Sequence, residues 1–124
     1  HLANVMHLAT DVTGALVEKL AHVDAFTILE HLHPSAAVCG TPREQAASLI
    51  AEIEGMSRGR YAGPVGWIDA AGDGELGIAL RCGQIQGRSI RIFAGCGIVA
   101  GSDPDKELAE SEAKLIPMRS ALIK

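Results

Sequence analysis

Near residue 63 the chain changes its hydrophobic period. Up to "SRGRYAG" (57–63) apolar residues recur at helical spacing, and from "PVGWIDA" onward they alternate in twos. A chain that runs helices, then strands, then one closing helix is neither a bundle nor an all-β sandwich. The order predicts an α+β fold.

On the helical side, "DAFTILEHL" (24–32) opens on a cap candidate, Asp24, and "HPSAAVCGTP" follows as a loop set by two prolines and a glycine. Thr41 is then expected to cap a stronger helix, with Pro42 in its first turn and Glu44 three residues after the cap. Ala46, Leu49, Ile50 and Ile53 form its stripe toward a core. Ahead of these, "NVMHLATDV" reads as a strand entered midway.

Beyond residue 63, "PVGWIDA", "ELGIALRCGQI" and "SIRIFAGCGIVA" are three strand candidates joined by the turn signals "AGDG" and "QGR". They predict an antiparallel meander. Three strands leave two edges and one face to cover, so the segment is expected to be incomplete as a stand-alone domain. The closing helix takes Ser102 or Asp103 as its cap and Pro104 in its first turn, and Pro117 should kink it or end it early.

A length of 124 residues suits one modest domain, and 48% apolar with 21% charged residues is a globular balance. The longest uncharged apolar run falls far below the roughly 20 residues of a membrane span. A cytoplasmic protein without a membrane partner or targeting signal is expected. Cys39, Cys82 and Cys96 are widely spaced without a second ligand type beside them, which predicts free thiols. The formal charge is −4, and Lys and Arg cluster nowhere with aromatics. Nucleic acid is therefore not an expected partner.

Chemistry concentrates near the C-terminal end. In "DPDKELAESEAKL" (103–115) Glu107 and Glu110 lie about 60° apart on a helix, with Lys114 between them in angle one turn on. Two carboxylates so placed can share a hard cation such as Mg²⁺, yet the same spacing describes a solvated face with a Glu110–Lys114 pair. Spacing does not decide between them. Just upstream, Gly95 and Gly97 in "FAGCG" allow backbone N–H groups to approach an anion closely. Arg81 interrupts the apolar strand "GIALRCG", where a guanidinium needs an anionic partner. His31 and His33 lack a third metal ligand and read as loop-packing residues.

"HLATDVTGAL", "LHPSAAVCGTPREQA", "RGRYAGPVGWIDAAGDGE", "ALRC" and "FAGCGIVAGSDPDKELAESEAKL" resemble, in this order and over nearly the whole chain, the C-terminal half of chorismate-utilising enzymes. The loop "HPSAAVCGTP" and the element "YAGPVGW" look most like isochorismate synthases. Ala37 stands where anthranilate and salicylate synthases tend to carry threonine, which favours the isochorismate branch over those two alternatives. Two departures are Cys96, where alanine is usual between the glycines, and Leu76, where tryptophan is common.

The resemblance implies a fold of two large β-sheets flanked by helices, of which residues 1–124 form the C-terminal part of a single chorismate-binding domain. It implies that Glu110 ligates Mg²⁺ with Glu107 beside it. It further implies that Tyr61, Arg81, Lys114 and the backbone at Gly95 and Gly97 hold the substrate carboxylates, with His7 and Ala37 lining the pocket. The base, a lysine, and the acid, a glutamate, belong to motifs upstream of "HLATDVTG", so no catalytic acid or base is expected in this chain. Expected partners are chorismate, isochorismate and the upstream half of the enzyme, in siderophore or menaquinone biosynthesis. A non-catalytic chorismate-binding remnant is the alternative of another class.

Overall fold

The computed structural model describes residues 10–123. Most of the segment expected to be an entering strand lies outside them, and Thr10 to Val17 is irregular up to a single 3-10 turn, Glu18–Leu20. Helix α1 is Ala25–Leu32, capped as expected by Asp24, whose carboxylate accepts from the Thr27 N–H at 2.8 Å. Helix α2 is Arg43–Glu54. Its cap falls one residue later than Thr41, because Pro42 keeps an extended ψ of 143° and supplies no side-chain oxygen. The predicted core stripe is only partly covered: Ala46 and Ile50 are half-buried, whereas Leu49 and Ile53 are exposed.

The meander is corrected. Four short strands form two separate antiparallel hairpins, β1 (Pro64–Ile68) with β2 (Gly74–Ile78) and β3 (Cys82–Gln86) with β4 (Ser89–Phe93). Both predicted turns are present, the first closed by Asp69, which accepts from the N–H groups of Ala71 and Asp73. The second strand candidate breaks at Arg81, whose φ of 47° lies in the left-handed region that a non-glycine residue seldom adopts. Such a torsion cannot continue a pleated strand. The chain turns a corner there, and β2 and β3 enter different hairpins.

Helix α3, Pro104–Leu122, starts at Asp103, which accepts from the N–H groups of Asp105 and Lys106, and places Pro104 in its first turn. Pro117 does not end it. The helix continues five residues further, packed on the β3–β4 hairpin, where the Met118 methyl lies beside Gly83 and Ile90.

Among the described residues only Ala62 and Phe93 are buried apolar groups. The accessible surface is 10585 Å², against roughly 6,300 Å² for a compact monomer of 13.0 kDa. Trp67, Ile85, Ile98 and Val99 are all more than half exposed. Elements with this much uncovered apolar face need a further layer, as the incomplete meander led one to expect. The three cysteines are free and half-buried.

Candidate functional site

The proline loop, the end of α2 with the turn after it, β4 with the glycine loop that follows, and α3 meet around a cavity of about 420 Å³. Each contributes for a local reason. The loop after α1 brings Ala37 and Val38 to one wall, and the turn Arg58–Tyr61, closed by the Tyr61 N–H to the Arg58 carbonyl at 2.9 Å, presents Tyr61 to another. At the end of β4, Phe93 passes into the glycine loop, and α3 supplies Lys114 and Leu115.

Tyr61 stacks on Phe93 with ring centroids 5.1 Å apart. Its burial pushes the phenol upward, with the Arg58 charge pulling the other way, so the hydroxyl stays a neutral donor at physiological pH. The hydroxyl reaches the glycine loop: a Cβ built on Gly95 would stand 2.8 Å from it. On the other side of Gly95, its carbonyl accepts from the Lys114 ammonium at 3.0 Å. A phenol, an ammonium and a stretch of glycine backbone thus converge. That set suits a small carboxylate-bearing anion.

Glu110 meets Lys114 in an ion pair at 2.6 Å and is itself more than half exposed. Glu107 turns into the loop, accepting from the Ser102 hydroxyl at 2.8 Å, which holds its carboxyl below the usual carboxylate range. The Cys96 thiol donates to the Glu107 carbonyl at 3.3 Å, and partial burial pushes it up, so its sulfur is directed to α3 as a protonated group. Glu112 is exposed.

Of the residues nominated from sequence, Ala37, Tyr61, Gly95, Gly97 and Lys114 line this cavity. Arg81 does not. It sits half-buried at the corner between the hairpins, while Glu107 and Glu110 lie on α3 next to the cavity wall. His7 lies outside the described residues. Among the described residues no three His, Cys, Asp or Glu side chains cluster as a metal cage. Glu107 and Glu110 are hard-oxygen donors, of which a cation of the Mg²⁺ type takes one or two, and in this structure their carboxylates accept from Ser102 and Lys114.

Sequence reasoning passed over Glu54, Arg58, Arg91 and Phe93, which also line the cavity. A signal for one pair was present. Glu54 and Arg58 stand four apart across the glycine that ends α2, an ion-pair spacing that reads as surface charge until the loop is seen to fold over it.

Hairpins and helices around a cavity that Arg58, Arg91 and Lys114 line define an α+β protein. The sequence pattern of the chorismate binding enzymes matches residues 1–123, and the chain belongs to that family. It is 49% identical over 119 residues to isochorismate synthase MenF of Bacillus subtilis, covering 96% of this chain and 25% of that protein. With the vibriobactin-specific isochorismate synthase of Vibrio cholerae it shares 41% over 111 residues, 90% of this chain and 28% of the relative. The crystal structure of DhbC from Bacillus anthracis superposes with a TM-score of 0.75 at 43% identity, over 80% of this chain and 26% of that one. The chain therefore spans about a quarter of the length of the relatives it matches.

Proposed function

We propose that this chain is the C-terminal portion of an isochorismate synthase, which converts chorismate to isochorismate once an upstream portion completes the domain. The observation that carries the reading is the meeting of the Tyr61 hydroxyl, the Lys114 ammonium and the Gly95 backbone at one cavity, in a chain so similar to isochorismate synthases. Chorismate is a dicarboxylate. Tyr61 donates to one carboxylate and Lys114 supplies charge beside the glycine loop, whereas Arg81, to which the family resemblance gives a carboxylate, stands outside this cavity. Ala37 and Gly97 shape the pocket.

Glu110, with Glu107 beside it, would hold Mg²⁺. When bound, the ion polarises and orients a substrate carboxylate. Isomerisation adds water at ring carbon 2 and releases the 4-hydroxyl as water, so a base and an acid are required. Both are assigned to the upstream portion. The product would serve siderophore or menaquinone formation in the cytoplasm.

Mixing the chain with its upstream portion and chorismate should yield isochorismate and no pyruvate. Stoichiometric pyruvate would instead assign a salicylate or anthranilate synthase. A folded complex without turnover would make the chain a non-catalytic remnant.

A narrower prediction concerns the glycine loop. Gly95→Ala puts a methyl against a Tyr61 hydroxyl already held by ring stacking, whereas a methyl at Gly97 meets nothing within 4 Å. In the completed enzyme Gly95→Ala should weaken chorismate binding by about a hundredfold, the scale of a displaced contact group. Gly97→Ala should leave folding intact. Calorimetric titration of both with chorismate checks this, and unchanged affinity in Gly95→Ala would remove the Tyr61–Gly95 approach from the site.

A further inference from the structure

The guanidinium of Arg58 spends all three nitrogens on the protein. Nε and Nη2 donate to the two oxygens of Glu54 at 2.8 and 2.5 Å, and Nη1 donates to the Val38 carbonyl at 2.9 Å. Its central carbon stands 5.5 Å from the centre of the Tyr61 ring. Three of its five N–H donors are thus committed to protein acceptors, one from each nitrogen, although Arg58 also lines the cavity. Three walls depend on this one group: the end of α2 through Glu54, the proline loop through Val38, and Tyr61 through its ring face. A fork with a fixed geometry can join such partners, and a flexible ammonium cannot.

We propose that Arg58 is a positioning residue for chorismate binding, holding Tyr61 and the Ala37–Val38 segment at their places on the cavity wall. The inference rests on the chorismate reading above. Arg43 already ties the start of the same loop, donating to the His31 carbonyl at 2.7 Å and to that of His33 at 3.4 Å. Arg58 fixes its far side. Tyr61 then has the Arg58 cation over its ring and the Phe93 ring stacked on it, with its hydroxyl at Gly95.

The test uses the enzyme completed by its upstream portion, with wild type, Arg58→Gln, Arg58→Lys and Glu54→Gln compared. Arg58→Gln should raise the chorismate KM by about tenfold with kcat changed far less, since contact geometry is lost while the acid and base are untouched. Arg58→Lys keeps the charge without the fork and should fall between. A second reading is the ionisation of Tyr61, followed as tyrosinate absorbance against the matching Tyr61→Phe protein. It should move upward in Arg58→Gln and return toward wild type in Arg58→Lys. A purely structural staple lowers melting temperature but leaves KM and the Tyr61 titration where they were, and that result overturns the proposal. If Arg58→Gln does not fold, Arg58→Lys and Glu54→Gln decide it by the same two readings. A wild-type enzyme that fails to bind chorismate would end the functional reading alone, because the Tyr61 titration still reports whether Arg58 governs that ring.

Discussion

Replacing Glu110 with alanine in the completed enzyme is expected to lower Mg²⁺-dependent chorismate turnover by more than about a hundredfold, while Glu112→Ala stays within about twofold of wild type. The two residues stand two apart on α3, and both are exposed. Glu112 makes none of the side-chain bonds that Glu110 makes. Glu110 is paired with Lys114, which in turn reaches the Gly95 carbonyl, so its loss removes a proposed metal ligand and frees the ammonium at the cavity wall. The pair in solvent is worth little in stability. A large loss of turnover therefore cannot come from unfolding, and melting curves of both variants should overlay that of wild type. Titration of Mg²⁺ into the variants separates the two remaining causes: activity restored at high metal concentration indicates weakened ligation, and activity unrestored indicates misplaced Lys114. Equal effects from Glu110→Ala and Glu112→Ala would undo the assignment of Glu110.

The second large effect is on folding. Gly66→Ala should disrupt the β1–β2 hairpin, because a methyl at Gly66 overlaps the Glu75 carbonyl oxygen on the facing strand and lies 2.9 Å from the Leu76 Cα. Backbone on both strands must move to admit it. Overpacking of this kind costs about 1–3 kcal/mol. A lone two-stranded hairpin has little to lose. Gly77, on the partner strand, is the control: a methyl there meets nothing nearer than the Val65 carbonyl at 3.9 Å. Amide hydrogen exchange over residues 64–78 in the completed enzyme should show protection lost in Gly66→Ala and kept in Gly77→Ala. Since the Ala62 N–H donates to the Ala79 carbonyl at the mouth of the same hairpin, Tyr61 should loosen with it. Retained protection in Gly66→Ala would mean that the strands are not held by this close approach.

Much of the architecture was written in local signals. Asp24 and Asp103 cap the helices expected of them, the two turns close the hairpins, and every strand observed falls on one of the three strand candidates. These features obey rules that act over three or four residues: a carboxylate meeting free N–H groups, an Asp closing a turn, a side chain alternating across a pleat. The errors fall where no such rule operates. Alternation of Leu76, Ile78, Leu80 and Cys82 runs straight across Arg81, yet the left-handed torsion there divides the segment, and no pattern of side chains announces a backbone angle. The apolar stripe of α2 was correct as a pattern, but Leu49 and Ile53 are exposed because the layer that would cover them is not among the described elements.

The site divides along the same line. Helical geometry alone placed Glu107, Glu110 and Lys114 on one face across two turns, and the motifs carried the family, so the residue types and the family were legible in the sequence. Only the tertiary structure decided that Lys114 is joined to Gly95, that the Tyr61 hydroxyl lies against that glycine, and that Arg58 joins Glu54 to the Val38 carbonyl. The physical reason is distance along the chain. The cavity is assembled from residues between 37 and 115, and the contacts among them are settled by packing of loops and rings whose separation no local periodicity encodes.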